Sequence, residues 1–352
     1  MKAWKITSDG ISMQETSSQS VRKFRGAGFW GGERFSQSVR DGQLKIKTKY
    51  TLIGVLDKYL YDTRSERDGI VPSRQCIGMV SEVGGDGKSI ARGDIVAVKP
   101  YSACGECIEC EEGRASDCEN KLVYGYTTDG FLRDFVVVNT EDVLKLPERV
   151  DPKSALFIEH IDMAIDALDK LGAKKGEHVV IVGANEMGLI LAQAVLYYQM
   201  IPIVVDIDSE RLKRASEYVY YTVNASTENA IRRIFNITGG RMGENVVYVA
   251  RGAVPLSQSM MFAGNNGKVA IVGWKKTVGL SDVNISAVID KKLTIVGVCG
   301  SNDNFPKAIN LLATKAIKVD FDIPEVKFEQ ADKVFKEFGD SDGFVLSRVT
   351  FE

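Results

Sequence analysis

The chain is 352 residues long, with 44% hydrophobic and 26% charged residues, a formal net charge of −2 and a pI near 5.9. That length allows about two domains of ordinary size, and that hydrophobic share excludes a disordered chain. The charge balance gives no case for nucleic acid or an anionic membrane, no apolar run spans a bilayer, and residues 1–6 lack a signal-peptide core, so a cytoplasmic protein is expected.

Residues 2–6 predict a short strand. From 17 to 43 the composition turns to Ser, Gln, Arg and Gly, with Gly26, Gly28, Gly31 and Gly32 around Phe29 and Trp30, which predicts an exposed loop. A loop of that length is often functional, but an ordinary surface excursion is the reading preferred here. Residues 44–47 alternate apolar and polar like a half-buried strand. Short runs broken by glycine between 77 and 98, then 135–138 and 143–146, predict a small, largely antiparallel barrel or twisted sheet.

Cys104, Cys107, Cys110 and Cys118 follow a C-x2-C-x2-C-x7-C spacing. Four thiolates so close in sequence can close a tetrahedral shell on one zinc ion. An iron–sulfur cluster is a competing reading. Two disulfides are a third, opposed by the missing secretion signal and by poor fit across such short loops. A shell filled by four thiolates leaves no position for substrate, so this zinc is structural. Cys76 and Cys299 stand alone and read as core residues.

Asp151-Pro152 has the form of a helix start, Asp as cap and Pro at the first position. The helix is expected to run to Leu171 and to stop at Gly172, with Ile158, Ile161, Ile165 and Leu168 on its apolar side. Glu159 and His160 sit early in it. Residues 179–182 then give four β-branched apolar residues, a strand buried on both faces. It ends at Gly183; Gly188 opens an apolar run of helical length, and 203–205 form a second strand ending in Asp206. This is the strand–turn–helix–strand unit that receives a dinucleotide, with the pyrophosphate at the helix start and the acidic residue on the ribose. Asn185 replaces the usual middle glycine; its side chain limits the approach of the pyrophosphate, although Asn tolerates positive φ. A doubly wound sheet that has lost its ligand is the alternative. Asp206 argues for NAD over NADP. Arg211 either lies over the adenine or opens a solvated helix. Candidate cofactor residues are Gly183, Asn185, Glu186, Met187, Gly188, Asp206, Arg211 and, at the end of the strand predicted over 268–273, Gly273. Helices over 210–218, 228–235 and 256–262 alternate with strands over 245–250, 268–273 and 292–298, which predicts a parallel sheet with helices on both faces. A helix over 306–313 and a strand over 345–351 are expected to return to the first domain.

On the four-cysteine lobe, the Gly183–Gly188 turn with Asp206, the Asn266-Gly267-Lys268-Val269 approach to a late strand and the order of the domains, the chain from about residue 44 resembles the medium-chain dehydrogenase/reductase superfamily, in its zinc-type alcohol and polyol dehydrogenase branch. The resemblance implies an α/β protein with a GroES-like β-barrel catalytic domain made from both chain ends (1–151 and 300–352, zinc lobe near 100–120) and a Rossmann doubly wound parallel-sheet domain at 152–299. It further implies a homodimer or homotetramer built through the Rossmann sheet, and NAD-linked hydride transfer on a small alcohol, polyol, sugar or ketone.

Members of that branch hold a catalytic zinc with a Cys in a Cys-Gly-Thr/Ser-Asp stretch, a His in a Gly-His-Glu stretch, and a Cys or Glu at the start of the helix before the Rossmann domain. The matching positions here are Gly54-Val55-Leu56-Asp57, Ser73-Arg74-Gln75 and Glu159. Only Glu159 remains a ligand type, and a guanidinium does not deprotonate, so the catalytic zinc is expected to be absent. Asp57 is expected to form a bidentate ion pair with Arg74, leaving Arg74 as a fixed charge able to polarise a carbonyl oxygen. The catalytic candidates are therefore Arg74, Asp57, Glu159 and His160. His160 is a candidate acid/base, against a purely structural role; Tyr59 is weaker, and His178 reads as a surface or strand-edge residue. Three functions compete: an NAD-dependent oxidoreductase without catalytic zinc, a zinc-independent quinone or enone reductase (opposed by the cysteines and Asp206), and a catalytically inactive nucleotide-binding member, which the lost metal ligands favour.

Overall fold

The structure is a computed structural model describing residues 1–15, 39–63, 69–85, 89–250, 254–273, 283–337 and 345–352. Most of the segment expected as a loop over 17–43, and part of the Gly84–Gly87 turn, lie outside the described residues. The chain divides into two units, Met1–Glu159 with Asp322–Gly339 and Val345–Glu352, and His160–Phe321.

The first unit opens with the hairpin of β1 (Lys2–Thr7) and β2 (Gly10–Glu15). β3 (Gln43–Gly54) follows; its Leu44, Ile46 and Thr48 are buried while Lys45, Lys47 and Lys49 between them stay partly exposed, the period-2 pattern of a strand with one covered face. It runs directly into α1 (Val55–Asp62). Next come β4 (Cys76–Val83), β5 (Ile95–Val98), β6 (Tyr101–Ser102), α2 (Ile108–Glu111), β7 (Leu122–Val123), β8 (Phe135–Asn139) and β9 (Val143–Lys145). The helix expected from 152 to 171 is two pieces, α3 (Pro152–Ala155) and α4 (Ile158–Leu171). Asp151 caps α3 through the Ser154 amide at 2.8 Å, and a tight bond from Phe157 N to Ser154 O closes that turn before α4 begins.

The second unit contains β10 (His178–Val182), α5 (Glu186–Tyr197), β11 (Ile201–Asp206), α6 (Ser209–Ala215), β12 (Tyr221–Asn224), α7 (Ala230–Ile237), β13 (Gly243–Tyr248), α8 (Leu256–Ser259), β14 (Ala263–Val272), α9 (Ile285–Asp290), β15 (Thr294–Val298) and α10 (Phe305–Ala313). Its strands pair in parallel in the order β12-β11-β10-β13-β14-β15. β10 lies near the middle and is buried along its whole length, as its run of β-branched residues requires. The chain then returns to the first unit as β16 (Glu325–Lys327), α11 (Ala331–Glu337) and β17 (Val345–Thr350). There the sheet runs β16-β17-β3-β4-β5-β9 with β8 also on β3, and every pair is antiparallel except β16–β17.

By contacts between residues the chain passes from one unit to the other at Glu159–His160 and at Phe321–Asp322. The reasons are specific. Arg74 and Gln75 hold Glu159 in the first unit. Gln193 exchanges two hydrogen bonds with the Lys318 backbone and Tyr218 bonds Asp320, which keeps α10 and the segment after it with the second unit. Cys76 is buried as expected of a core residue; Cys299, just past β15, is exposed.

Candidate functional site

The cysteine lobe is built from two short segments. α2 starts at Cys107, whose extended backbone makes it the cap residue, and a single 3₁₀ turn (Ala115–Asp117) delivers Cys118. All four cysteines are free thiols, so the two-disulfide reading does not hold. Their sulfurs lie within 4.8 Å of one another, with Cys107–Cys110 and Cys104–Cys118 both at 3.5 Å and Cys104–Cys110 at 3.9 Å. A tetrahedral shell with Zn–S near 2.3 Å places its sulfurs about 3.8 Å apart, so this quartet fits a single zinc ion. Among the described residues it is the one group of His, Cys, Asp or Glu side chains close enough to hold a metal.

The second cluster forms where β3 ends and β4 begins. Glu159 is 3% exposed; its Oε1 accepts from Arg74 Nη2 at 2.5 Å, and its Oε2 accepts from Gln75 Nε2. The expected Asp57–Arg74 ion pair is therefore replaced by Arg74–Glu159. Asp57 is engaged elsewhere: its Oδ2 accepts from Gly54 N at 2.8 Å, capping its own helix α1, and its Oδ1 accepts from Ser73 N at 2.6 Å. With both oxygens spent on the backbone, the guanidinium turns to the other carboxylate. Burial pushes the Asp57 pKa up to about 6, against the pull of the two amides and of Arg74. Two residues that sequence reasoning missed shape this corner. Ser73 holds a left-handed φ of +77°, with its hydroxyl against that of Thr51, which in turn donates to Gln75 O at 2.5 Å. No residue pattern announces a serine there; only the close packing of Gly125 and Gly130 on the Ser73 backbone shows why the conformation is imposed.

The third element is the turn between β10 and α5. Gly183 has φ of +115°, and a Cβ on it would stand 2.8 Å from Ala250 N; a Cβ on Gly188 would meet Gly183 O at 1.9 Å. Both positions accept glycine alone, so the turn and the start of α5 keep the form that receives a diphosphate. Asn185 has an extended φ of −79°, not the left-handed conformation that sequence reasoning allowed for. It caps α5, accepting from Gly188 N at 3.1 Å and donating to Val249 O at 2.9 Å, and so narrows the approach. Met187 is buried and Glu186 half-buried in the first turn of α5, and Gly273 closes β14 by donating to Val298 O at 3.0 Å. Asp206 is buried, and its carboxylate accepts from Ala184 N at 2.6 Å, Ile207 N at 2.7 Å and Asp208 N at 3.0 Å. The residue expected at the ribose thus also braces the turn. Asp208, exposed beside it, caps α6 through the amides of Glu210 and Arg211, which hold its pKa below the usual carboxylate range. His160 lies in the first turn of α4 and is 5% exposed.

A four-cysteine lobe able to hold one metal ion, on a mixed sheet, and a doubly wound sheet with a glycine-bounded turn before α5 give the architecture of a two-domain dehydrogenase. Comparison with known families agrees: residues 40–148 match the alcohol dehydrogenase GroES-like domain and residues 186–314 the zinc-binding dehydrogenase domain. An uncharacterized zinc-type alcohol dehydrogenase-like protein of Haemophilus influenzae is 33% identical over 76% of this chain and 78% of its own. The L-threonine 3-dehydrogenase of Pyrococcus furiosus is 29% identical over 74% and 76% of the two chains. Among solved structures, the short chain alcohol dehydrogenase rspB of Escherichia coli, complexed with NADH, superposes with a TM-score of 0.80 at 22% identity, covering 100% of this chain and 98% of that one; this likeness speaks for the fold. The chain belongs to the zinc-type alcohol dehydrogenase family and is an oxidoreductase of that type. No helix among its described residues is long and apolar enough to cross a membrane.

Proposed function

We propose that the chain is an NAD(H)-dependent oxidoreductase moving hydride between a small alcohol, polyol, sugar or ketone and nicotinamide, with one structural zinc and no catalytic zinc. The observation that carries this reading is the Arg74–Glu159–Gln75 cluster: the one carboxylate left from a metal shell is bound by a guanidinium and an amide. When bound, the dinucleotide supplies the hydride donor or acceptor. The rest falls to the chain. The start of α5 holds the diphosphate, and the Asp206 and Asp208 carboxylates at the end of β11 disfavour a 2′-phosphate. His160 moves the proton. Arg74, neutralised by Glu159, keeps that carboxylate in place and offers little net charge to a developing alkoxide.

Metal analysis is expected to give one zinc per chain, and NADH to bind more tightly than NADPH. His160→Gln is expected to lower turnover on an alcohol and ketone panel at least a hundredfold while leaving NADH affinity unchanged. Absence of dinucleotide binding overturns the reading. Binding without turnover by the unmodified chain supports a second one, a nucleotide-binding member of the family, which the buried and neutral Arg74 cluster favours.

We infer also that two copies pair through the second unit. Among the described residues β15 is a sheet edge with β14 as its neighbour, and Ile285 and Ile289 of α9 are 59% and 69% exposed close in sequence to it. Ile289→Glu is expected to lower the mass measured by light scattering; an unchanged mass rules this face out.

A further inference from the structure

A single 3₁₀ turn, Thr140–Asp142, joins β8 to β9 and seats a carboxylate at the root of the cysteine lobe. Asp142 is 5% exposed. The Ser102 and Asn139 side chains hydrogen-bond it, while its Oδ2 is buried with no partner among the described residues. Its carbonyl accepts from Lys99 N at 2.8 Å, and Asn139 Nδ2 reaches Ser102 Oγ at 3.5 Å. Ser102 matters because the lobe hangs between β6 and β7, which pair only as Tyr101 with Val123 and Ser102 with Leu122.

The groups around Asp142 do not neutralise it. Lys99 Nζ donates to Glu141 O at 3.1 Å, and Glu141 adds a like charge. Tyr124 is buried facing Asp142, with Arg133 and Cys76 also acting on its hydroxyl. Among the described residues no ion pair reaches Asp142, so when ionised it is a buried charge without a counter-ion. Burial, with Glu141 acting in the same direction, pushes its pKa up to about 6 against Ser102, Lys99 and Asn139. Protonation adds a donor and keeps acceptor capacity, so the turn can stay docked. Ionisation favours moving the carboxylate into water, and one 3₁₀ turn with Thr140 half-buried and Glu141 exposed resists little. We propose that Asp142 is a proton-operated latch at the root of the cysteine lobe: protonated, it holds the Thr140–Asp142 turn on Ser102; ionised, it lets the turn swing out and loosens β6.

The folded chain holds this proton more tightly than the unfolded chain does. The stabilisation is therefore complete in acid and lost as pH rises through about 6. Hydrogen exchange of the full, metal-loaded chain, corrected for the intrinsic effect of pH on amide exchange, reads it segment by segment. Segments 97–103 and 139–145 are expected to exchange about tenfold faster at about pH 8 than at about pH 5. Asp142→Asn, an uncharged stand-in for the protonated acid, is expected to exchange slowly at both. Asp57 also titrates near 6 and moves the first unit as a whole, so the two chains are compared at the same pH. Ser102→Ala unties the lobe from an intact Asp142; the pH step should then persist in 139–145 and vanish from 97–103. No step in the wild-type chain, the same step in Asp142→Asn, or equal steps in both segments of Ser102→Ala overturns the proposal.

Discussion

Removing the metal from the Cys104, Cys107, Cys110 and Cys118 lobe is expected to unfold the lobe and to lower the stability of the first unit more than any other single change. Between Cys104 and Cys118 the described helical structure is two short turns, too little to be stable alone. Of the four cysteines only Cys118 is buried, so the lobe brings almost no apolar core of its own. On the structural-zinc reading ligation supplies the folding energy, and structural zinc in small peptides supplies about 10–16 kcal/mol. A chelator at neutral pH should release one equivalent of zinc and open protease sites inside the lobe. Cys118→Ser should purify with less than one zinc and the same cleavage pattern. A chain that carries no zinc, or one that loses it without any change in protease sensitivity, would sink the structural-metal reading. An iron content with visible absorbance would instead support the iron–sulfur alternative.

Arg74→Leu is expected to destabilise the chain by about 3–5 kcal/mol, the usual result of leaving one partner of a buried ion pair behind. The two side chains are 4% and 3% exposed, so Glu159 would keep a charge in the interior with the Gln75 amide still donating to it. The double variant Arg74→Leu/Glu159→Leu removes both charges and should recover most of the loss, since paired burial of charge seldom outperforms packed hydrophobes. Chemical denaturation of the three chains side by side decides the matter. An Arg74→Leu chain within 1 kcal/mol of wild type would show that the pair is not the buried neutral unit described above.

Much of the fold was legible because its signals are local. The β-branched run of β10, the alternation in β3 and the glycine pair at Gly183 and Gly188 each report a backbone state that neighbours in sequence impose. Elements without such a signal were missed. α1 starts inside a stretch read only for metal ligands, and β12 is four residues long with two of them polar. The helix expected over 152–171 broke at 156–157 because apolar spacing continues across a turn that only a hydrogen-bond pattern distinguishes.

The cysteine spacing, taken alone, determined that four thiols would meet, since residues 3 to 8 apart in sequence cannot stray far in space. The same holds for the glycine-bounded turn between β10 and α5. Tertiary structure alone decided which charge meets which: Arg74 reaches Glu159 across 85 positions while Asp57, the nearer carboxylate in sequence, is taken by backbone amides. It also brought Asp162 to the loop at 301–304, some 140 residues away. Partner choice among buried polar groups depends on who has already been satisfied, and that competition is settled only when the distant segments are packed together.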